Sequence, residues 1–358
     1  MTPENPEMIK MQGPVCPIPL QHTDSILIGH GSGGQMTRSL IQNIFQSRIG
    51  NHILSEGNDA ARIDLGKHSN QIAISTDSHV VSPLFYPGGD IGRLSICGTV
   101  NDVAMLGAKP AFLTAGFIIE EGFSLKSLER IIDSMAEACK EADVKIVAGD
   151  TKVVEKGSAD GLFINTTGFG VISNNRQIGG QFAQPGDAVL ISGTLGDHGI
   201  AIVQARGNLG FQSQIQSDVA PLNHMIGELL GEIPQVHVLR DPTRGGLATT
   251  LKEIACQSQV SIILEEETIP IKPDVRIACE MLGFDPLYMA NEGKVIIILP
   301  KIFVDQALKV LKNSPYGVNA MRIGEVFNED PGQVILKTAF GTSRLLDMLS
   351  GEILPRIC

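Results

Sequence analysis

Apolar positions along the chain follow two alternating spacings. Strand-length apolar runs fall at 71–75, 111–119, 145–148 and 161–172. Between them, helical spacing covers 91–106, interrupted by Gly98, and 125–142. The second helix is the clearer. Leu125, Leu128, Ile131, Ile132, Met135 and Cys139 recur at i, i+3 and i+4. The order strand, helix, strand, helix, strand predicts an α/β sandwich. The second half repeats the mixture. Strands are predicted at 188–192, 261–264, 294–299, 322–327 and 333–337, and helices at 200–205, 221–230, 245–257, 271–282 and 303–311. The expected fold class is therefore α/β (α+β).

The ends and one internal connector break this pattern. Residues 1–24 are polar and proline-rich and read as a flexible arm. A short apolar stretch at 25–28 leads into a glycine-rich loop at 29–34. Helical spacing over 36–49 follows, with Leu40, Ile41, Ile44 and Phe45 on one face. The run 173–185 is rich in Asn, Gln and Gly and is the candidate domain boundary. This predicts domains at 25–172 and 173–338, and a flexible C-terminal tail at 339–358. The N-terminus lacks a basic segment followed by an apolar core, so it does not read as a secretory signal. No apolar run approaches the ~20 residues of a bilayer span. A cytoplasmic location with reduced thiols is the expectation.

Composition narrows the function. At roughly 100–200 residues per domain, 358 residues predict two or three domains. A net charge of -11 argues against general nucleic-acid binding, which needs clustered Lys and Arg. The six cysteines are scattered and none forms C-x-x-C, so neither a zinc site nor a disulfide framework is indicated. Cys97 and Cys139 lie on apolar helix faces and read as core. Cys16, Cys256 and Cys279 have no base at a suggestive spacing. Cys358 is the last residue, so it is not part of a prenylation box.

Two features carry candidate chemistry. Gly29, Gly31 and Gly34 satisfy G-x-G-x-x-G between a short strand and a helix. No clean second strand follows, which weakens a dinucleotide reading. Gln35 and Met36 stand where a Walker A loop needs Lys and Ser/Thr. A phosphate cradle using Gly33 and Gly34 and a plain hinge both remain open. The second feature is a series of acids beside small residues: Asn58-Asp59-Ala60, Thr76-Asp77-Ser78, Asn101-Asp102-Val103, Gly149-Asp150-Thr151 and Arg240-Asp241-Pro242. Each alone could be a turn or helix cap. Together, at strand ends, they supply the hard oxygens that Mg²⁺ prefers. His79 follows Asp77 closely and is a candidate lining residue. Arg244 precedes Gly245-Gly246 at a helix start, where it would meet a phosphate or pair with Asp241.

The ordered set resembles a known superfamily. NDVAMLGAKPAFLTAGF, with Thr76-Asp77 upstream and Gly149-Asp150-Thr151-Lys152 and Asp241-Pro242-Thr243-Arg244-Gly245-Gly246-Leu247 downstream, is similar to aminoimidazole ribonucleotide synthetase and its relatives. Selenophosphate synthetase and thiamine-monophosphate kinase belong to the same group. The resemblance runs from about residue 30 to residue 326. It implies a two-domain fold whose N-terminal domain binds ATP and forms a dimeric β-barrel. His30-Gly31-Ser32-Gly33-Gly34, Asn291-Glu292-Gly293 and the terminal Pro355-Arg356-Ile357-Cys358 further resemble the HypE family of hydrogenase maturation proteins.

That resemblance implies a specific chemistry. A partner carbamoyltransferase, HypF, would load a carbamoyl group onto Cys358. ATP would activate the group, dehydration would leave a thiocyanate, and the cyano group would pass to iron on a HypC–HypD complex. Asp59, Asp77, Asp102, Asp150 and Asp241 would hold Mg²⁺, and the same aspartates with Thr151, Arg244, Gly33 and Gly34 would bind ATP. Lys152 and Glu292 would serve Cys358 as polarising and proton-handling groups. Residues 351–358 would reach roughly 25 Å when extended, at ~3.3 Å per residue. Two other readings stay open: a small-molecule kinase or synthetase of the same superfamily, and a non-catalytic scaffold that binds maturation partners through its tail.

Overall fold

The computed structural model describes residues 34–46, 54–63, 71–173, 176–207, 214–349, 351, 354 and 356–358. The arm 1–24 with Cys16, the run 25–28, the loop residues Gly29, His30, Gly31 and Gly33, and Pro355 lie outside them.

The first half begins with α1 (Gln35–Leu40), continued by a π-helical turn over Ile41–Gln46. It then runs through β1 (Ala61–Ile63), β2 (Gln71–His79), the short hairpin β3 (Phe85–Tyr86) and β4 (Gly89–Asp90), and α2 (Ile91–Met105). β5 (Ala108–Glu120), α3 (Leu125–Ala142), β6 (Lys145–Val154) and β7 (Leu162–Ile172) complete it. The sheet order is β1-β2-β7-β5-β6. Only the β5–β6 pair is parallel, as expected when α3 makes the crossover between them.

Local chemistry explains the helices. The Asp90 carboxylate accepts from the backbone N–H of Gly92 (2.7 Å) and Arg93 (3.1 Å) and starts α2. Ser124 caps α3 by accepting from Ser127 N, and Asp143 ends it in the left-handed region (φ 54°). The buried face of α3 is Ile131, Met135, Ala138, Cys139 and Ala142, so Ile131, Met135 and Cys139 of the predicted stripe are buried whereas Leu125 and Ile132 are exposed.

Three expectations change. Gly98 does not break α2, which is continuous and buried nearly all round. A Cβ at Gly98 would lie 3.2 Å from His79 Cε1 and 3.5 Å from Asp77 Oδ2, so the glycine permits a close approach to β2. Next, Gly149-Asp150-Thr151 is not a turn after a four-residue strand. It lies inside β6, where Asp150 pairs with Gly116 and Lys152 with Ile118, because ladder hydrogen bonds continue through it. Finally, the tail is not wholly irregular. Its segment Ser343–Leu346 forms a strand, described below.

The second half contains β8 (Asp187–Ile191), α4 (Asp197–Ala205), α5 (Asn223–Glu232), β9 (Val238–Arg240), α6 (Gly246–Ser258) and β10 (Ser261–Glu265). α7 (Pro273–Leu282), β11 (Ile296–Pro300), α8 (Val304–Asn313), β12 (Met321–Phe327), β13 (Val334–Lys337) and β14 (Ser343–Leu346) follow. Its sheet order is β14-β13-β10-β12-β8-β11-β9. Val189 and Ile191 of β8 face Leu247, Leu251 and Ile254 of α6. Ala188 and Leu190 face Ile226 and Leu229 of α5 and Leu311 of α8. Covering both faces explains why β8 and β11 read as unbroken apolar runs.

α2 joins the halves. Ile96 and Val100 pack into the first core, whereas Ala104 and Met105 pack among residues of the second. The chain end lies on the same seam. Ile357 is 5% exposed and packs in the first core with Ile202 and Val219.

Candidate active site

At that seam, a cleft of about 230 Å³ is lined by residues from six separate segments. Asp59 precedes β1. Ser75, Thr76 and Asp77 come from β2. Gly98 and Asp102 lie one turn apart on α2. Asp241, Thr243 and Arg244 form the link from β9 to α6. Glu292 precedes β11, and Cys358 enters from the tail.

Each acid is held differently. Ser75 Oγ donates to Asp102 Oδ2 at 2.6 Å. Asp59 Oδ2 lies 2.7 Å from Arg240 Nε, and Arg240 also pairs with Glu253 at 2.9 Å. Asp77 Oδ1 accepts from Ser78 N, and its Oδ2 lies 3.7 Å from His79 Nε2. Glu292 sits on a fixed turn. The Asp218 carboxylate accepts from Glu292 N (3.2 Å) and Gly293 N (3.3 Å) and pairs with Lys294 Nζ at 2.9 Å. A Cβ on Gly293 would lie 1.8 Å from the Asp218 carbonyl, so only glycine fits there. Asn291 accepts from Gly196 N and donates to the Pro242 carbonyl, tying this turn to the Asp241 segment.

The electrostatics follow from crowding acids in a buried place. Burial, then Asp241 and Asp77, push Glu292 well above the ordinary carboxyl range. Burial, then Asp241 and Asp77, do the same to Asp102. Burial raises Asp59 to about 6 and, reinforced by Asp59, raises Asp241 to about 8. Asp218 behaves oppositely: burial pushes it up, but the Lys294 ammonium and the Glu292 backbone N–H hold it low. Arg244 is the cation in the cleft, and its strongest favourable partner is Cys358, ahead of Asp77 and Glu292. A guanidinium there offsets the negative charge that the C-terminal residue brings into the cleft.

These shifts predict a pH dependence. A carboxyl whose folded pKa is raised binds its proton more tightly when folded. Its stabilisation is complete below the unfolded value near 3.8 and is lost as pH rises through the folded values of about 6 and 8. The nucleotide-free chain should therefore lose several degrees of Tm between about pH 4 and pH 8. Asp241→Asn should flatten the upper part of that curve in differential scanning fluorimetry. An unchanged slope in the variant would remove this assignment.

The structure brings together Asp59, Asp77, Asp102, Asp241, Arg244, Glu292 and Cys358. It does not bring Asp150, Thr151 or Lys152 to the cleft within one chain. All three lie exposed on edge strand β6, where Lys152 Nζ pairs with Asp150 at 2.6 Å. Gly34 packs on the tail instead, with its would-be Cβ 2.1 Å from the Leu349 carbonyl. Gly33 lies outside the described residues. Thr243, Ser75, Asp218, Lys294 and His198 were missed. Thr243 and Ser75 lay inside the motifs around Asp241 and Asp77 but were given no role. The other three act over long sequence separations and carry no local signature.

Comparisons with known proteins identify the family. The sequence matches the families "AIR synthase related protein, N-terminal domain" over 57–172 and "AIR synthase related protein, C-terminal domain" over 184–337. It is 52% identical over 331 residues to carbamoyl dehydratase HypE of Cupriavidus necator, covering 92% of this chain and 94% of the relative. The chain belongs to the HypE carbamoyl dehydratase family. Among solved structures, HypE in a HypE–HypF complex superposes with a TM-score of 0.82 at 51% identity, covering 87% of this chain and all of that one. HypE in complex with ATP superposes with a TM-score of 0.78 at 50% identity, covering 93% of this chain and all of that one. The two-domain, mixed α/β fold of the AIR synthase group is thus shared with HypE. Among the described residues, no helix is long and apolar enough to cross a membrane.

Proposed function

We propose that this chain is an ATP-dependent carbamoyl dehydratase that acts on a carbamoyl group carried by its own Cys358 and so supplies the cyanide ligand of nickel–iron hydrogenase. Membership of the HypE family carries the enzyme class. The carrier role rests on one observation: Cys358 lines the same cleft as Asp59, Asp77, Asp102, Asp241 and Glu292, with Arg244 beside it.

The carbonyl oxygen of the thiocarboxamide attacks the γ-phosphorus of ATP and displaces ADP, with loss of one N–H proton. An amide oxygen is a poor leaving group, whereas the resulting phosphate ester can depart. Removal of the second N–H proton forms the C≡N bond as phosphate leaves, so the carrier loses the elements of water. Glu292 is the base within the cleft. Once ionised, a carboxylate in this setting is a stronger base than a solvated one, and Arg244 favours the ionised form. Arg244 balances negative charge beside the sulfur.

The cleft also fits Mg²⁺. Its donors are hard carboxylate oxygens, their mutual repulsion calls for positive charge, and Glu292 Oε1 is buried without a hydrogen-bond partner. Asp59, Asp77, Asp102 and Asp241 are the residues to hold it. Among the described residues no group of three His, Cys, Asp or Glu side chains could hold a metal unaided, which suits an ion whose shell is completed by triphosphate and water. When bound, Mg²⁺ neutralises charge on the transferring phosphoryl group.

Incubation with a carbamoyltransferase, carbamoyl phosphate and ATP tests the reading by intact-mass spectrometry. The carbamoylated chain should lose one water, and only with ATP. An ATP-independent loss, or none, would overturn it.

The partners follow from the same chemistry. A carbamoyltransferase of the HypF kind loads Cys358, and an iron carrier of the HypC–HypD kind accepts the cyano group, for which the tail must leave the cleft. A second copy of the chain completes the site. β6 is the sheet edge, with Val147 and Val153 exposed beside an apolar groove of about 430 Å³ between α3 and β6. Joining two first-half sheets at this edge would close a barrel, cover the apolar face and give Asp150, Thr151 and Lys152 a cleft to serve. Val147→Glu should shift the chain to monomer in analytical ultracentrifugation. A parent chain that is already monomeric would sink the dimer.

A further inference from the structure

The tail is gripped by its main chain. His198 of α4 is fully buried, and its Nε2 lies 2.7 Å from the Ile357 carbonyl, one residue before Cys358. Its Nδ1 lies 2.8 Å from Ser217 Oγ, which itself accepts from Val219 N at 3.2 Å. These contacts define one tautomer. The Ser217 hydroxyl donates to Nδ1, and Nε2–H donates to the Ile357 carbonyl. Burial lowers the pKa of His198, which keeps the ring neutral in this role. Nearby, Arg206 Nη2 donates to the Arg356 carbonyl at 2.8 Å, Ser82 N donates to the same carbonyl, and Val80 N donates to the terminal carboxylate of Cys358.

We propose that His198, oriented by Ser217, is a positioning residue that latches the tail for dehydration by holding the Ile357 carbonyl, and so keeps Cys358 in the cleft that Arg244 and Glu292 also line. Because the grip is on backbone, it is indifferent to the group on the sulfur. Free thiol, thiocarboxamide and thiocyanate can all be held by the same bond. The His198 bond acts beside those of Arg206, Val80 and Ser82 and the Arg356–Asp160 pair, so losing it loosens the tail's end and shifts it towards the outward state that partners need. This rests on the reading of Cys358 as carrier.

The full chain tests it in two ways. First, iodoacetamide labels Cys358 without carbamoyl group, ATP or partner, and peptide mass spectrometry reads the rate at that residue. His198→Ala should react about ten-fold faster, as expected for losing a buried hydrogen bond. His198→Gln, whose side-chain amide still donates, should stay near the parent rate. Second, carbamoyl loading and ATP-dependent water loss are timed separately. His198→Ala should load at least as fast as the parent but dehydrate about ten-fold slower. Unchanged labelling in His198→Ala, or equal slowing of loading and dehydration, overturns the latch. If His198→Ala fails to fold, His198→Gln and Ser217→Ala decide: Ser217→Ala should label faster than the parent, and equal rates in all three chains overturn the proposal. If the parent never dehydrates, the carrier reading fails, while labelling still decides the latch.

Discussion

Cys358→Ala should abolish both carbamoyl loading and thiocyanate formation, while leaving nucleotide affinity within about two-fold of the parent. The first half of this expectation is absolute because the sulfur is the atom that bears the group. The second half follows from where the cysteine sits. It lines the cleft with Arg244, but the tail's anchorage is made by the Ile357 side chain, the carbonyls of Arg356 and Ile357 and the terminal carboxylate. Removing one sulfur leaves all of these in place, and the four aspartates as well. Cys358→Ser is the sharper control. It keeps nearly the same shape but offers a hydroxyl, which is a weak nucleophile near neutral pH without a base. Loading should fall to background with no change in Tm. The check is intact mass with the carbamoyltransferase present, alongside ATP binding by calorimetry. Water loss from a chain lacking Cys358 would sink the carrier role. It would return the protein to the small-molecule kinase reading that its fold also allows.

The parts of this site legible in the sequence share one property: their chemistry is local. Asp59, Asp77, Asp102 and Asp241 each sit beside small or turn-forming residues, and Cys358 is marked by its position. Likewise the bounds of α3 were legible from its apolar spacing, although Leu125 and Ile132 of that stripe turn out exposed. What failed needed tertiary information. Gly98 reads as a helix breaker, yet burial on every side holds α2 straight and uses the missing Cβ to admit His79 and Asp77. Gly149-Asp150-Thr151 reads as a turn, yet pairing with β5 extends the strand through it. Asp218 and Lys294 meet across 76 residues, and His198 meets Ile357 across 159. No periodicity or motif spacing encodes contacts of that kind. The seam that assembles the cleft was also invisible, because α2 serves two cores with different residues of one continuous apolar run.

Glu292→Gln should slow dehydration by about 10²–10⁴-fold, the range for losing a general base, while carbamoyl loading and nucleotide binding persist. The substitution preserves volume and the backbone bonds to Asp218, so the turn at 291–293 has no reason to move. It changes charge alone. Glu292 is raised by burial and then by the neighbouring acids Asp241, Asp77 and Asp218. A carboxyl raised in this way stabilises the fold only while it is protonated. Above the unfolded value near 4.5 the unfolded chain ionises first and stability is lost. Glutamine removes that loss, so the variant should melt no lower than the parent at pH 8. Activity and stability should therefore move in opposite directions, which a purely structural role for Glu292 does not produce. Single-turnover mass spectrometry of the carbamoylated chain with Mg-ATP, paired with melting curves, reads both. A variant that dehydrates within about three-fold of the parent would exclude Glu292 as the base. A variant that loses activity by unfolding would show it as a lower Tm. Arg244 and the aspartates remain in both chains, so the phosphoryl-transfer half of the reaction should still run. ADP should then form without a matching loss of water. That uncoupling is the signature of a missing base, because the oxygen has been activated but the final N–H proton has nowhere to go.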